Sequence, residues 1–288
     1  LLGGNNTIAK PTGLMNATIT NDFFVNGAST TTFLRSDTSA AQKLNLKIGR
    51  DLIISGSTNA NLTAANSIGA STVNITRNFT LTNGKFTGQA NINSSGTDSI
   101  LVGLDFLYNS PTAADYVKCN FGKGPVVFRT TGNFTMLNSG TLAGQGFEGA
   151  SNSTSNVKII IGGGFTQSGG RFCGSYNNSN LVATGSLNFS VTGAHTMNAG
   201  VFRGIDNRFK SNLGSITYAV NSLVFNGGNF NAFQTVNFTN SNSAFTITNN
   251  CTINYASTND SLLFIGHSVI FPDNNAQVLN LTIGGNLT

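Results

Sequence analysis

Short runs of alternating apolar and polar residues recur along the chain. Each is followed by a Gly- or Asx-rich turn and a second run opened by a large apolar residue. The phrase reads LNLKIGRDL at Leu44–Leu52, VNITRNF at Val73–Phe79, IIIGGGF at Ile159–Phe165 and LNLTIGGNL at Leu279–Leu287. Period-2 alternation predicts strands with one buried face. Taking the large residue after the turn as an anchor gives Phe23, Leu52, Phe79, Phe106, Phe134, Phe165, His195, Leu223, Phe245 and Leu287. Successive anchors lie 29, 27, 27, 28, 31, 30, 28, 22 and 42 residues apart. The last interval is longer than one unit and predicts a degenerate rung around Ser261 to Phe271.

Four residues before most anchors stands another apolar residue: Ile19, Ile48, Ile75, Val102, Ile161, Val191 or Ile283. Two residues earlier come Ala17, Leu46, Val73, Ile100, Ile159, Phe189 and Leu281. The residue just before the anchor is Asp22, Asp51, Asn78, Asp105, Asn133 or Asn286 in six of the ten units, and Asx tolerates the tight turn this position requires. Five residues after the anchor comes Gly84, Gly170, Gly200 or Gly228. Two further on stands Phe86, Phe172, Phe202 or Phe230, and the triplets Phe86-Thr87-Gly88, Phe172-Cys173-Gly174 and Phe202-Arg203-Gly204 are expected to close a second corner.

One such unit cannot bury its own apolar row, whereas stacked units can, each strand pairing with its equivalent one turn away. The expectation is all-β: a right-handed parallel β-helix of roughly ten rungs, about 27–30 residues each, forming a rod about 50 Å long. A long, irregular repeat disfavours the left-handed form, whose hexapeptide repeat is short and strict. A tandem of β-sandwiches would need hairpins and a period of roughly 80–100 residues. Residues 1–288 therefore read as a single solenoid, expected to be a segment or repeating subunit of a longer assembly.

Composition supports this reading. Only 9% of residues are charged, with 34 glycines, 4 prolines and one glutamate, Glu148, while an apolar content of 39% including 22 Phe argues against disorder. The net charge of +5 could indicate nucleic acid, but the basic residues stand singly in sequence, without the clustering phosphate binding requires. No nucleic-acid partner is expected. Cys119, Cys173 and Cys251 are odd in number and far apart, which predicts buried thiols rather than a disulfide framework or zinc site. No apolar run is long enough for a membrane span, and the beginning at Leu1 fits a mature or excised fragment.

The copies Leu279–Leu287, Ile159–Gly174 and Ile75–Gly88 together resemble the repetitive β-helical regions of large secreted and cell-surface proteins of Bacteroidota, including adhesins associated with gliding motility and type IX secretion. The resemblance covers most of the chain. It implies an extracellular, secreted or cell-surface stalk or displayed surface without catalytic chemistry. Those bacteria O-glycosylate Asp-Ser/Thr followed by an apolar residue, so Ser99 in Asp98-Ser99-Ile100 and Ser261 in Asp260-Ser261-Leu262 are candidate glycosylation sites.

The chain closes on Leu287-Thr288, the start of a second strand, and joined to Leu1-Leu2-Gly3-Gly4 it matches the spacing of Phe79 to Gly84. Head-to-tail self-association into a filament is one expectation, and docking on neighbouring domains of the same protein is the other. Parallel β-helices also carry polysaccharide lyases and hydrolases, whose sites need clustered carboxylates or a carboxylate–Lys/Arg group on one face. Here the acidic residues are spread along the chain. A column of Asp22 and Asp51 at one corner, within about 5 Å, is the one candidate catalytic or cation site. His195 occupies an anchor slot normally held by Phe and reads as a rung residue; His267 has no partner legible in sequence. Gly162-Gly163-Gly164 lacks the following Lys-Ser/Thr of a phosphate loop and reads as a corner. No catalytic, cofactor-binding or metal residue is assigned, and no cofactor. The reading is a structural or adhesive protein, not an enzyme. A carbohydrate-binding module contacting surface glycans is the alternative, with five tyrosines in place of the absent Trp, and a lyase comes third.

Overall fold

The computed structural model describes residues 6–9, 13–28, 30–35, 42–112, 114–137, 146–152, 154–176, 184–207, 214–235, 242–264 and 278–288. Leu1–Gly4, His267 and most of the stretch from Ser261 to Phe271 lie outside them. The described residues form strands joined by turns and bends, and every strand pair is parallel, in one continuous sheet wound as a β-solenoid. The described strands trace nine turns over three faces, the first from Leu14–Ile19 to Thr30–Arg35 and the ninth from Asn242–Ile247 to Ser261–Leu263, with Phe165–Tyr176, Leu187–Asn207 and Ile216–Phe225 each running on across a corner. Part of a turn flanks them at each end, against the roughly ten rungs expected.

The first face stacks Leu14–Ile19, Lys43–Ile48, Ser71–Ile75, Asp98–Val102, Val126–Thr130 and Val157–Ile161. It continues through the beginnings of the long strands Leu187–Asn207 and Ile216–Phe225 to Asn242–Ile247 and Val278–Ile283. The two apolar columns foreseen before the anchor are both present: Ala17, Leu46, Val73, Ile100, Phe128, Ile159, Phe189, Tyr218, Phe245 and Leu281 form one register line. Alternate residues face outward, so Lys43–Ile48 reads exposed–buried throughout.

The second face carries the anchors, with one correction. The register runs Phe23, Leu52, Phe79, Phe106, Phe134, Phe165, His195, Leu223, Cys251 and then a bridge to Leu287. Cys251, not Phe245, is the ninth anchor; Phe245 belongs to the first face beside Tyr218. The intervals after Leu223 become 28 and 36 residues, leaving no hidden rung, and Ser261–Leu263 is the third strand of the ninth turn. Size misled the reading here: Phe245 looks like an anchor, but Cys251 is the residue preceded by the corner Asx, Asn250.

That Asx position is a hydrogen-bonded ladder. The backbone N–H of Asp51 donates to Asp22 Oδ1 (3.1 Å), that of Asn78 to Asp51 (2.9 Å) and that of Asp105 to Asn78 (3.2 Å). The line continues with Asn133 on Asp105 (2.6 Å), Gly164 on Asn133 (2.9 Å) and Asn286 on Asn250 (3.0 Å). Each corner side chain thus satisfies a backbone donor that the turn leaves without a strand partner.

The third face inserts Leu62, Phe86, Val117, Phe147, Phe172, Phe202 and Phe230 into the core in register. The Phe-x-Gly triplets lie inside these strands rather than at a corner. A Cβ on Gly204 would come within 2.5 Å of Ala232 O, so the glycine there lets neighbouring turns approach. The turn glycines before this face do require a left-handed backbone: Gly84 has φ 118° and Gly200 φ 91°. A Cβ on Gly200 would also sit 2.6 Å from Gly170 O. Gly200→Ala is therefore expected to destabilise the fold by about 1–3 kcal/mol, read from the midpoint of urea unfolding. An unchanged midpoint would mean that this turn is not held as described.

Candidate functional site

The third face gathers charge that sequence reading had left scattered. Positions that follow the inward Phe column run Thr87, Lys118, Glu148, Cys173, Arg203 and Asn231, one per turn, and the first four are buried. Directly before the Phe column stand Lys85, Tyr116, Arg171 and Val201 in their respective strands. Parallel in-register stacking puts equivalent residues of successive turns about 4.8 Å apart, so opposite charges in one column meet without any special loop.

Lys118 Nζ lies 3.7 Å from Glu148 Oε1, with both side chains at most 9% exposed. The same ammonium stands 5.1 Å from the centre of the Tyr116 ring and 4.7 Å from that of Phe121, and Lys85 Nζ lies 5.8 Å from the Tyr116 ring centre. Ser151 donates its hydroxyl to Glu148 Oε1. Arg171 reaches along the face: its Nη2 donates to Asp206 Oδ2 at 3.1 Å, and the guanidinium lies 4.6 Å from the Tyr176 ring centre. Asp206 is fully buried and Arg203 half-buried.

Burial pushes the Glu148 carboxyl above its ordinary range, opposed by Lys118 and by the Ser151 hydroxyl. Burial also holds the Cys173 thiol up at about 12, so it stays protonated and is a poor nucleophile at neutral pH. Glu148 and Asp206 are each engaged by a cation, as burial of a carboxylate requires. Among the described residues no group of three His, Cys, Asp or Glu is placed to hold a metal ion.

The Asp22–Asp51 column exists but is part of the corner ladder. Asp22 accepts the Asp51 N–H and Asp51 that of Asn78, while Arg50 Nε stands 3.5 Å from Asp22 and Arg77 Nε 3.7 Å from Asp51. Backbone donors and arginines thus occupy the two carboxylates. Gly162-Gly163-Gly164 forms the same corner, Gly163 donating to Gly132 O at 2.8 Å. His195 is a core residue, as its anchor slot implied: it stacks on Phe165 at 4.5 Å, and its Nδ1 is 2.6 Å from the Tyr218 hydroxyl. All three cysteines are free and buried.

Ser99 lies half-buried on the outward side of the first face between Thr72 and Val127, whereas the neighbouring Asp98 points inward and is buried. Asp98 accepts the backbone N–H of Ser71 at 2.9 Å and its hydroxyl at 2.6 Å. Ser261 opens its strand, donating to Asn229 Oδ1 at 2.8 Å, and Asp260 accepts the N–H groups of Gly228 and Ser257. In both candidate glycosylation motifs the aspartate has a structural duty of its own.

Sequence reading missed the Lys118–Glu148 and Arg171–Asp206 pairs. A weak signal was present: Lys118 and Glu148 each follow the inward apolar residue of their strand, Val117 and Phe147. No known protein family, curated protein or solved structure matches the chain.

Proposed function

We propose that the chain is a rigid extracellular rod, a stalk or filament segment at the cell surface whose sides make adhesive contacts, and that it is not an enzyme. The observation that carries this reading is the stacking of equivalent strands, parallel and in register, from turn to turn along the described residues. Leu281 and Leu287 of the core columns are 44% and 62% exposed. A further turn of the same register, from a second copy stacked head to tail or from a neighbouring domain, would cover them.

The corner ladder gives the rod a direction, because each Asx side chain accepts from the turn above it. Outward amide ladders support a stiff, weakly charged exterior: Asn226 donates to Asn198 at 2.8 Å and Asn254 to Asn226 at 3.1 Å. Polar ladders of this kind restrain bending between the turns they join. Secretion is the setting in which such a composition and the Bacteroidota resemblance make sense together. A carbohydrate-binding module is the second reading, favoured by the half-buried rings of Tyr116, Phe121 and Tyr176 beside cations on the third face.

Electron microscopy of the purified protein is expected to reveal rods of uniform width, with end-to-end stacks growing longer as concentration rises. Introducing Leu281→Lys and Leu287→Lys should leave single rods and abolish the stacks. Globular particles, or stacks indifferent to both lysines, would sink the proposal.

A further inference from the structure

The chain's one glutamate, Glu148, is buried against a lysine. Arg50–Asp22, Arg77–Asp51 and Arg171–Asp206 instead pair their carboxylates with guanidinium groups. A guanidinium stays protonated, whereas a lysine amine that gives up its proton is a nucleophile, the more so when desolvated. Lys118 and Glu148 are register partners on the adjacent strands Tyr116–Asn120 and Phe147–Ala150, so the backbone ladder holds the two groups face to face. Both side chains are at most 9% exposed, and the rings of Tyr116 and Phe121 lie 5.1 and 4.7 Å from the ammonium. An amine and a carboxyl are thus held together where water has little access.

We propose that Lys118 and Glu148 close an amide bond between neighbouring turns of the solenoid, formed by the folded chain itself with loss of one water. A proton first passes from the Lys118 ammonium to the Glu148 carboxylate, leaving a neutral amine beside a neutral acid. Nζ then attacks Cδ. The Nζ–Cδ bond forms and one Cδ–O bond breaks; that oxygen leaves as water with two of the three ammonium protons, and the third stays on the amide nitrogen. One positive and one negative charge vanish together, and no oxidant, reductant or further reactant is consumed.

Three features favour the step. Desolvation penalises the ion pair relative to the neutral pair, and burial already pushes the Glu148 carboxyl towards its protonated form. Nζ stands 3.7 Å from Oε1, close to the near-attack separation of about 3–3.5 Å at which orientation alone is worth much of a barrier. Ser151 donates its hydroxyl to Oε1, and the positive charge of Arg171 also acts on this carboxyl. Negative charge developing on oxygen as Nζ adds therefore meets a donor and a cation already in place. Exclusion of water then denies the reverse hydrolysis its reactant. The step occurs once per chain, without turnover, and Glu148 titrates only until the bond has closed.

Intact-mass spectrometry of the purified, folded protein is expected to give a mass below that of the sequence by one water. Tandem spectra of a proteolytic digest should show the peptide holding Lys118 joined to the peptide holding Glu148. Lys118→Arg keeps the charge pair but removes the nucleophile, and should have its full calculated mass. If that variant fails to fold, the digest of the native protein decides by itself. A native protein at full mass, a missing water traced to other residues or to a cyclised aspartate, or a Lys118→Arg protein that still lacks the water would overturn the inference. Mass is indifferent to stacking, so this result stands apart from that of the microscopy.

Discussion

Replacing Phe202 with alanine is expected to lower the stability of the solenoid by about 3–5 kcal/mol, in the upper range for a large-to-small change in a closed core. Phe202 is 1% exposed and lies in the middle of an axial ring stack, 4.9 Å from Phe172 with an interplanar angle of 3° and 4.6 Å from Phe230 with 4°. Phe189 meets it edge-on at 5.4 Å, and His195 lies at 5.2 Å. Removing the ring forfeits contacts to two turns at once. Backbone ladders fix the spacing between turns, so the walls cannot collapse into the space left behind. In a solenoid each turn is held chiefly by its neighbours, so the lesion also weakens coupling between the halves of the rod. Urea unfolding monitored by circular dichroism checks this, with Phe24→Ala as reference because Phe24 is 56% exposed on the outside of the second face. A loss no greater than that of the reference would mean that the ring column is not the centre of the core.

The second large effect concerns pH. Asp98 occupies an inward position of the first face that is Leu44 two turns earlier and Val126 one turn later. Burial raises its carboxyl to about 7, against the opposing hydrogen bonds from Ser71 and Gln89, and Cys119 stands nearby. A folded-state pKa above the unfolded value of 3.8 means that the native state holds the proton longer. The contribution is complete below about pH 4 and is lost as pH rises to about 7, in total about 4 kcal/mol. Glu148 is displaced in the same direction by burial.

His195 works with the opposite sign. Burial among Phe165, Phe189, Phe202 and Tyr218 lowers it from 6.5 to about 3, so the native state resists taking up a proton. Stability is then lost as pH falls from about 6.5 towards 3, again by about 4–5 kcal/mol. Between pH 4 and 6.5 the two slopes oppose each other, and the native protein's unfolding midpoint should change little. Asp98→Asn is expected to uncover the histidine, giving stability that climbs with pH across this window. His195→Phe should uncover the carboxyls, giving stability that declines. Urea midpoints between pH 4 and 8 for the three proteins test this; parallel profiles would show that neither group is buried as described.

Much of the solenoid was legible because its signals are local. The Ile19–Ile283 column, the corner Asx and the glycine after the second strand lie within about a dozen residues of each anchor, where spacing is fixed by strand and turn geometry. The third face was harder to read because its intervals vary. From Leu62 the inward column advances to Phe86, Val117, Phe147, Phe172 and Phe202 by 24, 31, 30, 25 and 30 residues. Variable segments between faces erase the period there, and with it any view of which charges share a column. The candidate site was therefore hidden although each of its residues was in plain sight. Composition pointed the same way and hid it further, since singly placed Lys and Arg look dispersed until the coil superimposes them.

The sequence by itself determined that this chain coils, because alternating phrases at one spacing have no buried face until they are stacked. It also determined what the coil is made of: apolar columns within, Asx at the corners, and glycine where the backbone turns left-handed. Only the tertiary structure decided which residues became neighbours along the axis. It brought Lys118 to Glu148 and Arg171 to Asp206, seated Asp98 and His195 inside, and gave the ninth anchor to Cys251 rather than Phe245. The reason is physical: pairing in a parallel ladder is set by backbone register across whole turns, and that register belongs to no single stretch of chain.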